Sequence, residues 1–563
     1  MTEARTPTAV DEVADRYLDA AIAHDPMTAT YLGVPGYDDQ LPDLDPDWLA
    51  TRSTIRQRTL RELADTAPTD ASDRITVAAL SDELEVGETL RGFGVEEADL
   101  NNVASPLQIV RDIFDLNPTA SAGDWANIAA RLAAVPHTID GYIAALRYAA
   151  EHGRVAAHRQ VEAGIKQCGS NVGPDGFFGR FARTATPDDG TQLPDSLRAE
   201  LRRNAEVAGE AYATLEAFLR DELLARSGPG DAVGRELYVP FSRHFVGATL
   251  DLDETYEWGQ AEVARIAAQM EQTADRIKPG ASITDAIAIL DDDPERLLNG
   301  TDALQAWMQR KSDAAIEALA DTHFDIPEPI RRLECRIAPT QSGGIYYTGP
   351  SDDMVTRPGR MWWAVPEGQT TFGTWSELTT VYHEGVPGHH LQIAQTVYRR
   401  KLLNRWRRLG SWVSGHGEGW ALYAEQLMAD LGFLDDPADF LGMLDAQSLR
   451  AARVVIDIGV HCELPAPAEV GGGDWDHDKA WQYLSTHCHS AEGVRRFELE
   501  RYLGWPGQAP AYKVGQRLWL QLRDEVRKRE GDGFDLKAFH RRALDLGSVG
   551  LDVLRKAVLG EYD

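Results

Sequence analysis

Residues 381–392, VYHEGVPGHHLQ, contain the residue types of a metal-dependent hydrolase. Such an enzyme needs imidazole and carboxylate ligands, an open coordination position for water, and a base that takes the water's proton. His383 and Glu384 could provide the first ligand and the base in the order usual on a helix. The next histidines are His389 and His390, six and seven residues after the first, whereas a spacing of four would keep both ligands on one helix face.

Pro387 and Gly388 offer a way to accommodate the two extra residues. On a straight helix His389 would point away from His383, and His390 would lie about 10 Å along the axis. Proline cannot donate a hydrogen bond to the carbonyl of residue 383, so the helix must loosen here. A bulge at this point would bring His383 and His389 together. The sequence therefore predicts a modified metal site, with helix-end histidines bound to backbone groups as the alternative.

A third ligand is expected on a second helix, in the stretch SGHGEGWALYAEQLMADL. Glu418 opens this helix, and Glu425 follows seven residues later on the same side. A carboxylate among apolar residues needs a partner, and a metal ion or a ligand imidazole would provide one. Glu418 is therefore the candidate metal ligand, and Glu425 the candidate partner of a ligand histidine. A structural salt bridge is the alternative for Glu425.

Two further stretches set polar groups among apolar ones. SLRAARVVIDIGVHCE places Arg453, Asp457 and His461 four residues apart on one helix face. ERYLGWPGQAPAYKVGQRLW carries Arg501 and Tyr512 among prolines and glycines. An arginine could hold a substrate carboxylate, and a tyrosine or histidine could stabilise an oxyanion. An ordinary ion pair is the alternative for Arg453 and Asp457.

Helices must position these groups, because apolar residues recur at three- and four-residue spacing through most of the chain. The segment SGPGDAVG, residues 227–234, is the clearest interruption. It separates a predicted N-terminal helical lobe, residues 1–230, from a predicted catalytic-like lobe, residues 231–563, within one integrated body. We therefore expect a mainly α, multi-helical protein with a central groove.

The helix that carries His383 is expected to follow a small β-sheet. GIYYTG and GRMWWAVP are short aromatic segments on either side of the loop PSDDMVTRPG, and they predict a hairpin with a long connection. Thr374 and Glu377 have the spacing of a capping box, which predicts a helix start at about Trp375. The His-Glu pair would then lie in the second or third turn of a helix that follows a strand.

Composition excludes several classes of function. The net charge is −32, from 89 acidic and 57 basic residues, which argues against binding to nucleic acid or to anionic membranes. No stretch is long and apolar enough to span a membrane, and the acidic start does not look like a secretory signal. Four scattered cysteines do not form a disulfide framework. We expect a cytoplasmic protein, with a homodimer left open.

The assembled motifs resemble the bacterial family described as domain of unknown function 885. The shared pattern is HEGVPGHHLQ, EGWALYAEQL, RVVIDIGVH and RYLGWPGQAPAYKVG, in this order. The resemblance covers nearly the whole chain and includes the amino-terminal stretch DPMTATYLGVPGYDDQL.

More distantly, the chain is similar to the thermostable carboxypeptidases of the Taq type, which are mostly helical zinc enzymes with a deep groove. Their helix motif is followed by a Glu-Ser-Gln helix, an Arg-x-x-Ala-Asp helix and a Tyr-x-x-Gly segment. The two-residue insertion at Pro387 and Gly388 is the departure, and the resemblance implies His389 as the second histidine ligand. The matching positions on the other three elements are Glu418 with Glu425, Arg453 with Asp457, and Tyr512 with Gly515.

These observations predict a zinc-dependent peptidase that acts on peptides, with carboxypeptidase activity favoured. His383, His389 and Glu418 would bind the metal, with His390 in reserve, and Glu384 would be the general base. The oxyanion would be stabilised by Tyr512 or His461. The substrate carboxylate would be held by Arg453 or Arg501. Glu425 and Asp457 would lie behind the metal ligands and orient them. The alternatives are an inactive relative that binds peptides and a metallohydrolase of other amides or esters.

Overall fold

Helices account for most of the chain, as the spacing of apolar residues predicted. The computed structural model describes residues 5–338 and 344–563, which form 22 α-helices and five short β-strands. This confirms a mainly α fold. None of the described helices is both long and apolar enough to cross a lipid bilayer.

The first ten helices occupy the first 246 residues. The loop before α10 contains the Gly-Pro-Gly segment that the sequence indicated as a break. These helices are α1 Ala9–His24, α2 Pro26–Leu32, α3 Pro46–Asp65, α4 Ala71–Gly92, α5 Pro106–Leu116, α6 Ala122–Glu151, α7 His158–Gly169, α8 Phe177–Thr184, α9 Asp195–Phe218 and α10 Arg235–Val246.

The remaining elements carry the predicted site. The strands are β1 Leu297–Asn299, β2 Leu333–Ile337, β3 Ile345–Thr348, β4 Gly359–Trp363 and β5 Thr371–Gly373. The helices are α11 Leu252–Ile277, α12 Ile283–Asp291, α13 Thr301–Leu319, α14 Thr374–Glu384, α15 His389–Tyr398, α16 Ser414–Asp430, α17 Pro437–His461, α18 His477–His487, α19 Glu492–Gly504, α20 Ala511–Glu530, α21 Leu536–Leu544 and α22 Leu551–Val558.

The predicted hairpin is confirmed as part of a three-stranded sheet in the order β2-β4-β3. Strand β3 pairs antiparallel with β4, so that Tyr347 lies opposite Met361, and β2 pairs parallel with β4 on the other side. Met361 and Trp363 face the core, while Trp362 is half-buried. A second, two-stranded sheet of β1 and β5 ends immediately before α14, and thereby fixes where that helix begins.

The start of α14 differs from the prediction. The helix begins at Thr374 with Gly373 at its N-cap, and no side chain caps it. The Thr374 hydroxyl donates instead to the carbonyl of Arg296, at 3.1 Å. The prediction of a capping box between Thr374 and Glu377 was therefore wrong. The Thr374 hydroxyl instead binds the carbonyl oxygen of a residue that is distant in the sequence.

The hydrophobic core consists of two clusters. One lies within residues 27–223, among the helices of the N-terminal half. The other combines side chains of residues 13–84 with those of residues 238–558, and it surrounds the elements that carry the candidate site. The first and fourth helices thus share a core with the second half of the chain. The division into two lobes at residue 230 stays a prediction.

Glycines allow helices α16 and α20 to approach closely. A Cβ atom on Gly419 would lie 2.4 Å from the carbonyl carbon of Gly515, and one on Gly515 would lie 2.2 Å from the carbonyl oxygen of Gly415. Real Cβ atoms do not tolerate such distances. This contact brings the start of α20, with Tyr512, against α16, which begins at Ser414, four residues before Glu418, and not at Glu418 as predicted.

Replacement of Gly419 by alanine should therefore destabilise the protein. Overpacking of a tight backbone contact typically costs about 1–3 kcal/mol. Gly493→Ala is the matched control, because a Cβ on this helical glycine would meet nothing within 4 Å. It should leave stability unchanged or raise it by up to about 1 kcal/mol. Chemical denaturation of both variants measures the difference, and equal stabilities would contradict the proposed contact.

Candidate metal centre

The two predicted histidine ligands are joined by a turn instead of a bulged helix. Helix α14 ends at Glu384 and α15 begins at His389, so the expected bulge within one helix was wrong. The turn needs glycine, since a Cβ on Gly388 would lie 1.9 Å from the carbonyl oxygen of His383. The indole of Trp420 on α16 donates to the carbonyl of Pro387 at 2.9 Å and thereby anchors the turn. Sequence reasoning missed this role of Trp420.

The turn brings His383 and His389 to the same carboxylate. The Nε2 atoms of the two histidines lie 3.3 Å and 3.4 Å from one oxygen of Glu418, respectively. Their rings are nearly perpendicular, with centroids 4.9 Å apart. Both rings are buried, and Glu418 is largely buried. All three residues predicted as metal ligands are thus brought together.

These separations fit a shared metal ion. Ligand atoms held at 2.0–2.1 Å from a tetrahedral ion lie about 3.3 Å from one another. A good hydrogen bond between the same groups would be shorter, at about 2.7–2.9 Å. The donor set of two imidazoles and one carboxylate is also a common catalytic zinc set. The donor types and the two distances from Glu418 therefore fit zinc, while the group whose possible ligand atoms all lie within 4.8 Å of one another is His383, Glu384 and His389.

A second carboxylate holds the other side of His383. Glu425 lies 2.7 Å from His383 Nδ1 through one oxygen, and its other oxygen accepts from the Thr379 hydroxyl at 2.7 Å. The Gln447 amide lies 3.4 Å from that second oxygen and accepts from the ammonium of Lys513 at 2.6 Å. The predicted position of Glu425 behind a ligand histidine agrees with this geometry, and the chain of buried partners beyond it was not foreseen.

Glu384 lies where a base is needed. It forms a compact group with His383 and His389, in which one possible ligand atom from each residue lies within 4.8 Å of the others. Its side chain is buried, and its Oε2 has no hydrogen-bond partner among the described residues. Burial raises the pKa of this carboxyl group, while the neighbouring histidines oppose the shift. A raised pKa suits a group that must accept and then return a proton near neutral pH.

His390 has a different environment. Its Nε2 lies 2.6 Å from the carbonyl oxygen of Ile330, which can only accept, so Nε2 carries the proton. Its Nδ1 then accepts from the hydroxyl of Tyr347 at 2.9 Å. Burial lowers the pKa of His390 to about 4, which keeps the ring neutral. Neither nitrogen is free for a metal, and His390 instead ties α15 to β3.

Arg453 and Asp457 do not form an ion pair with each other. The Arg453 guanidinium donates to Glu498 and to the hydroxyl of Tyr502, both at 2.7 Å. Asp457 accepts from the hydroxyl of Tyr238 at 2.7 Å and from the amide of Gly507 at 2.9 Å. The alternative prediction of an ordinary ion pair between these two residues was therefore wrong. Asp457 anchors the loop before α20 instead of contacting a ligand histidine.

Tyr512 and Arg501 lie in one polar cluster with Arg453. Arg501 donates to the Gln508 amide at 2.6 Å and lies 3.4 Å from the Tyr512 hydroxyl, while Arg453 stacks 5.0 Å from the centre of the Tyr512 ring. Tyr512 is half-buried. His461 is fully buried, lies 2.9 Å from the carbonyl oxygen of Tyr502 through Nε2 and stacks on an aromatic ring. Of the two residues predicted to stabilise an oxyanion, Tyr512 is the accessible one.

A cavity of about 540 Å³ lies between the two halves of the chain. Residues of the first half, including Asp99, and of the second half, including Phe241 and Trp505, line it. None of the candidate site residues lines this cavity, but the guanidinium of Arg501 lies 5.8 Å from the centre of the ring of Trp505, which does. A larger cavity of about 760 Å³, lined by residues 111–188 and by Pro366 and Glu367, contains none of the candidate site residues either.

Comparison with known proteins supports one assignment. The family model described as a bacterial protein of unknown function (DUF885) matches residues 26–558. The chain belongs to the DUF885 family. No curated protein matches it. The more distant resemblance to thermostable carboxypeptidases stays a prediction.

Two solved structures are similar to this DUF885 protein over nearly the whole of both chains. A "putative lipoprotein" from Colwellia psychrerythraea is 22% identical, with a TM-score of 0.83, and covers 99% of this chain and 100% of its own. A "putative lipoprotein of unknown function" from Shewanella oneidensis is 16% identical, with a TM-score of 0.72. It covers 98% of this chain and 100% of its own. At these identities the likeness shows the shared fold alone.

The ligand assignment can be tested by metal content. Zinc-loaded and dialysed wild-type protein should retain about one zinc ion per chain, and His389→Ala should lose it, because a shared ligand atom is removed. His390→Gln is the matched control, since its amide can still donate to the Ile330 carbonyl, and it should retain zinc. Elemental mass spectrometry measures both. Zinc retained by the His389 variant and lost from the His390 variant would reverse the assignment.

Zinc affinity should rise with pH. In the metal-free protein burial opposes the charge on His383, but the neighbouring carboxylates of Glu418 and Glu425 raise its pKa to about 10. This raised pKa stabilises the metal-free fold most below the unfolded value of about 6.5, and the stabilisation is lost as the pH rises towards 10. A ligand must be deprotonated, so zinc binding releases that proton.

The apparent association constant for zinc should accordingly increase about tenfold per pH unit between about pH 7 and 9. Competition with a chromophoric chelator, corrected for its own protonation, measures this slope. A slope of zero would mean that His383 is already neutral before the metal binds.

Proposed function

We propose that this DUF885 protein is a zinc-dependent peptidase with carboxypeptidase activity. The observation that carries the proposal is the placement of one Glu418 oxygen at 3.3 Å and 3.4 Å from His383 and His389. A zinc ion held by these three residues would act as a Lewis acid and lower the pKa of a neighbouring water molecule. The buried carboxylate of Glu384 beside them, whose Oε2 has no partner in the described part of the chain, supports hydrolysis over simple metal storage.

Glu384 performs the proton transfers in this proposal. Its carboxylate takes a proton from the attacking water and later delivers it to the nitrogen of the leaving amine. Burial, which raises its pKa, makes both transfers feasible near neutral pH. Glu425 holds His383 Nδ1 at 2.7 Å and keeps the other ring nitrogen pointing towards Glu418.

Tyr512 is the candidate group for the developing oxyanion. It is half-buried at the start of α20, the helix that the glycine contact holds against the Glu418 helix. The positive charges of Arg453 and Arg501 flank its ring at 5.0 Å and 5.9 Å. A nearby positive charge makes a phenol O–H group a stronger hydrogen-bond donor to a negatively charged acceptor. His461 lacks this access, because it is fully buried.

The cavity beside the arginine cluster supports a peptide as substrate. Apolar, aromatic and polar side chains line it, and at about 540 Å³ it can take a few amino-acid side chains. An amide or ester of another kind could use the same chemistry. The peptide is preferred because Trp505, which lines the cavity, also lies against Arg501 of the cluster.

Glu384→Gln tests the hydrolytic role. Turnover of peptides should fall by a factor of about 10² to 10⁴, since a general base is lost, while zinc is retained. Glu377→Gln is the matched control, because it makes the same change on the same helix at a carboxylate that is only half-buried. It should keep activity near the wild-type level.

Peptide hydrolysis by zinc-loaded protein, followed by mass spectrometry, is the measurement. Undiminished cleavage by Glu384→Gln would contradict the role of Glu384. Peptide binding without cleavage by any form would identify a binding protein and overturn the proposed activity.

A further inference from the structure

Arg450 lies on α17 between the metal centre and the arginine cluster. Three residues before it, Gln447 contacts Glu425, and three residues after it, Arg453 contacts Glu498. Each step of three residues advances about 4.5 Å along a helix and stays on neighbouring faces. Its place on the helix therefore puts Arg450 between the partner of His383 and the cluster that contains Tyr512.

Arg450 has no carboxylate partner among the residues that the structure describes. Its one hydrogen bond runs from Nη1 to the carbonyl of Ala446 in the preceding turn, at 3.1 Å. Its Nε is buried and has no hydrogen-bond partner within residues 5–338 and 344–563. A half-buried guanidinium normally satisfies its donors with an acid or a backbone carbonyl, and those donors are available here for a ligand.

The neighbouring arginines are already engaged. Arg453 is bound to Glu498 and Tyr502, and Arg501 to Gln508 with a longer contact to Glu498. Burial would raise the pKa of Glu498, but Arg453 and Arg501, with a smaller contribution from Arg450, hold it at about 2. Both of these arginines therefore already have the carboxylate of Glu498 as an anionic partner.

Arg450 lies about one helical turn from a residue that reaches the metal centre. Gln447, three residues before it on α17, contacts Glu425, and Glu425 holds the imidazole of His383. A carboxyl-terminal residue places its carboxylate only about 3.5 Å of extended chain beyond the bond to be cut. A guanidinium that binds this carboxylate must therefore lie near the metal centre, and the place of Arg450 on α17 meets this requirement.

We infer that Arg450 binds the terminal carboxylate of the substrate and so determines cleavage at the carboxyl end. This inference rests on the proposed peptidase function and adds the residue that selects the substrate. Arg453 and Arg501 then have supporting roles, in which they hold Glu498, Gln508 and the ring of Tyr512.

Arg450→Met tests the inference, because it keeps most of the aliphatic stem and removes the charge. The probes are a mixture of N-acetylated tripeptides with free carboxyl ends and the same mixture with amidated ends. The wild type should prefer the free ends, and the variant should lose about 10- to 100-fold in kcat/KM on them while it cleaves amidated peptides as the wild type does. Arg450→Lys, which keeps the charge but not the paired donors, should be intermediate.

The ratio of the two kcat/KM values within one preparation does not depend on how much of the variant is folded. Arg496→Met, at an exposed arginine of α19, is the control and should keep the wild-type ratio. A wild-type ratio in Arg450→Met would overturn the inference. Equal cleavage of both mixtures by the wild type would overturn it and leave the peptidase in place. Cleavage of neither mixture would overturn the peptidase and this inference together.

Discussion

The candidate site depends on one carboxylate that faces two imidazoles. Glu418 lies within 3.4 Å of both His383 and His389, although six residues separate the histidines and a straight helix would point them apart. The arrangement exists because the chain leaves the helix at Gly385 and starts a new one at His389. Three helices, the two that the turn joins and the one that carries Glu418, therefore have to be placed together before any ligand set exists.

Packing at glycine makes this placement possible. Gly388 lets the turn pass close to the carbonyl of His383, and Gly419 lets α20 pass close to α16. Trp420 links the two arrangements, since it sits beside Gly419 and its indole binds the carbonyl of Pro387. The same short segment of α16 thus sets the position of Glu418, of the turn and of the helix with Tyr512.

The sequence predicted the helices and the hairpin, because these depend on local periodicity, and it named the residues that meet at the candidate site, because their types have a common chemistry. It could not predict the turn at Pro387, because its anchor is an indole 33 residues further along the chain. The capping box failed for the same reason, since Thr374 bonds to the carbonyl of Arg296. The partner of Arg453 is Glu498, 45 residues away, and no pattern around Arg453 indicates it. Contacts between distant segments decided each of these cases.

Glu418 and Glu425 lie on the same helix, α16, and contact opposite ring nitrogens of His383. When α16 shifts as a body, both oxygens travel together, so the ring of His383 is carried along and its orientation relative to them changes little. Small breathing motions of the bundle would therefore translate this ring without tilting it. His389 has only one such attachment, because its Nδ1 finds no partner among the described residues, so the orientation of its ring depends on packing against His383 and Trp412.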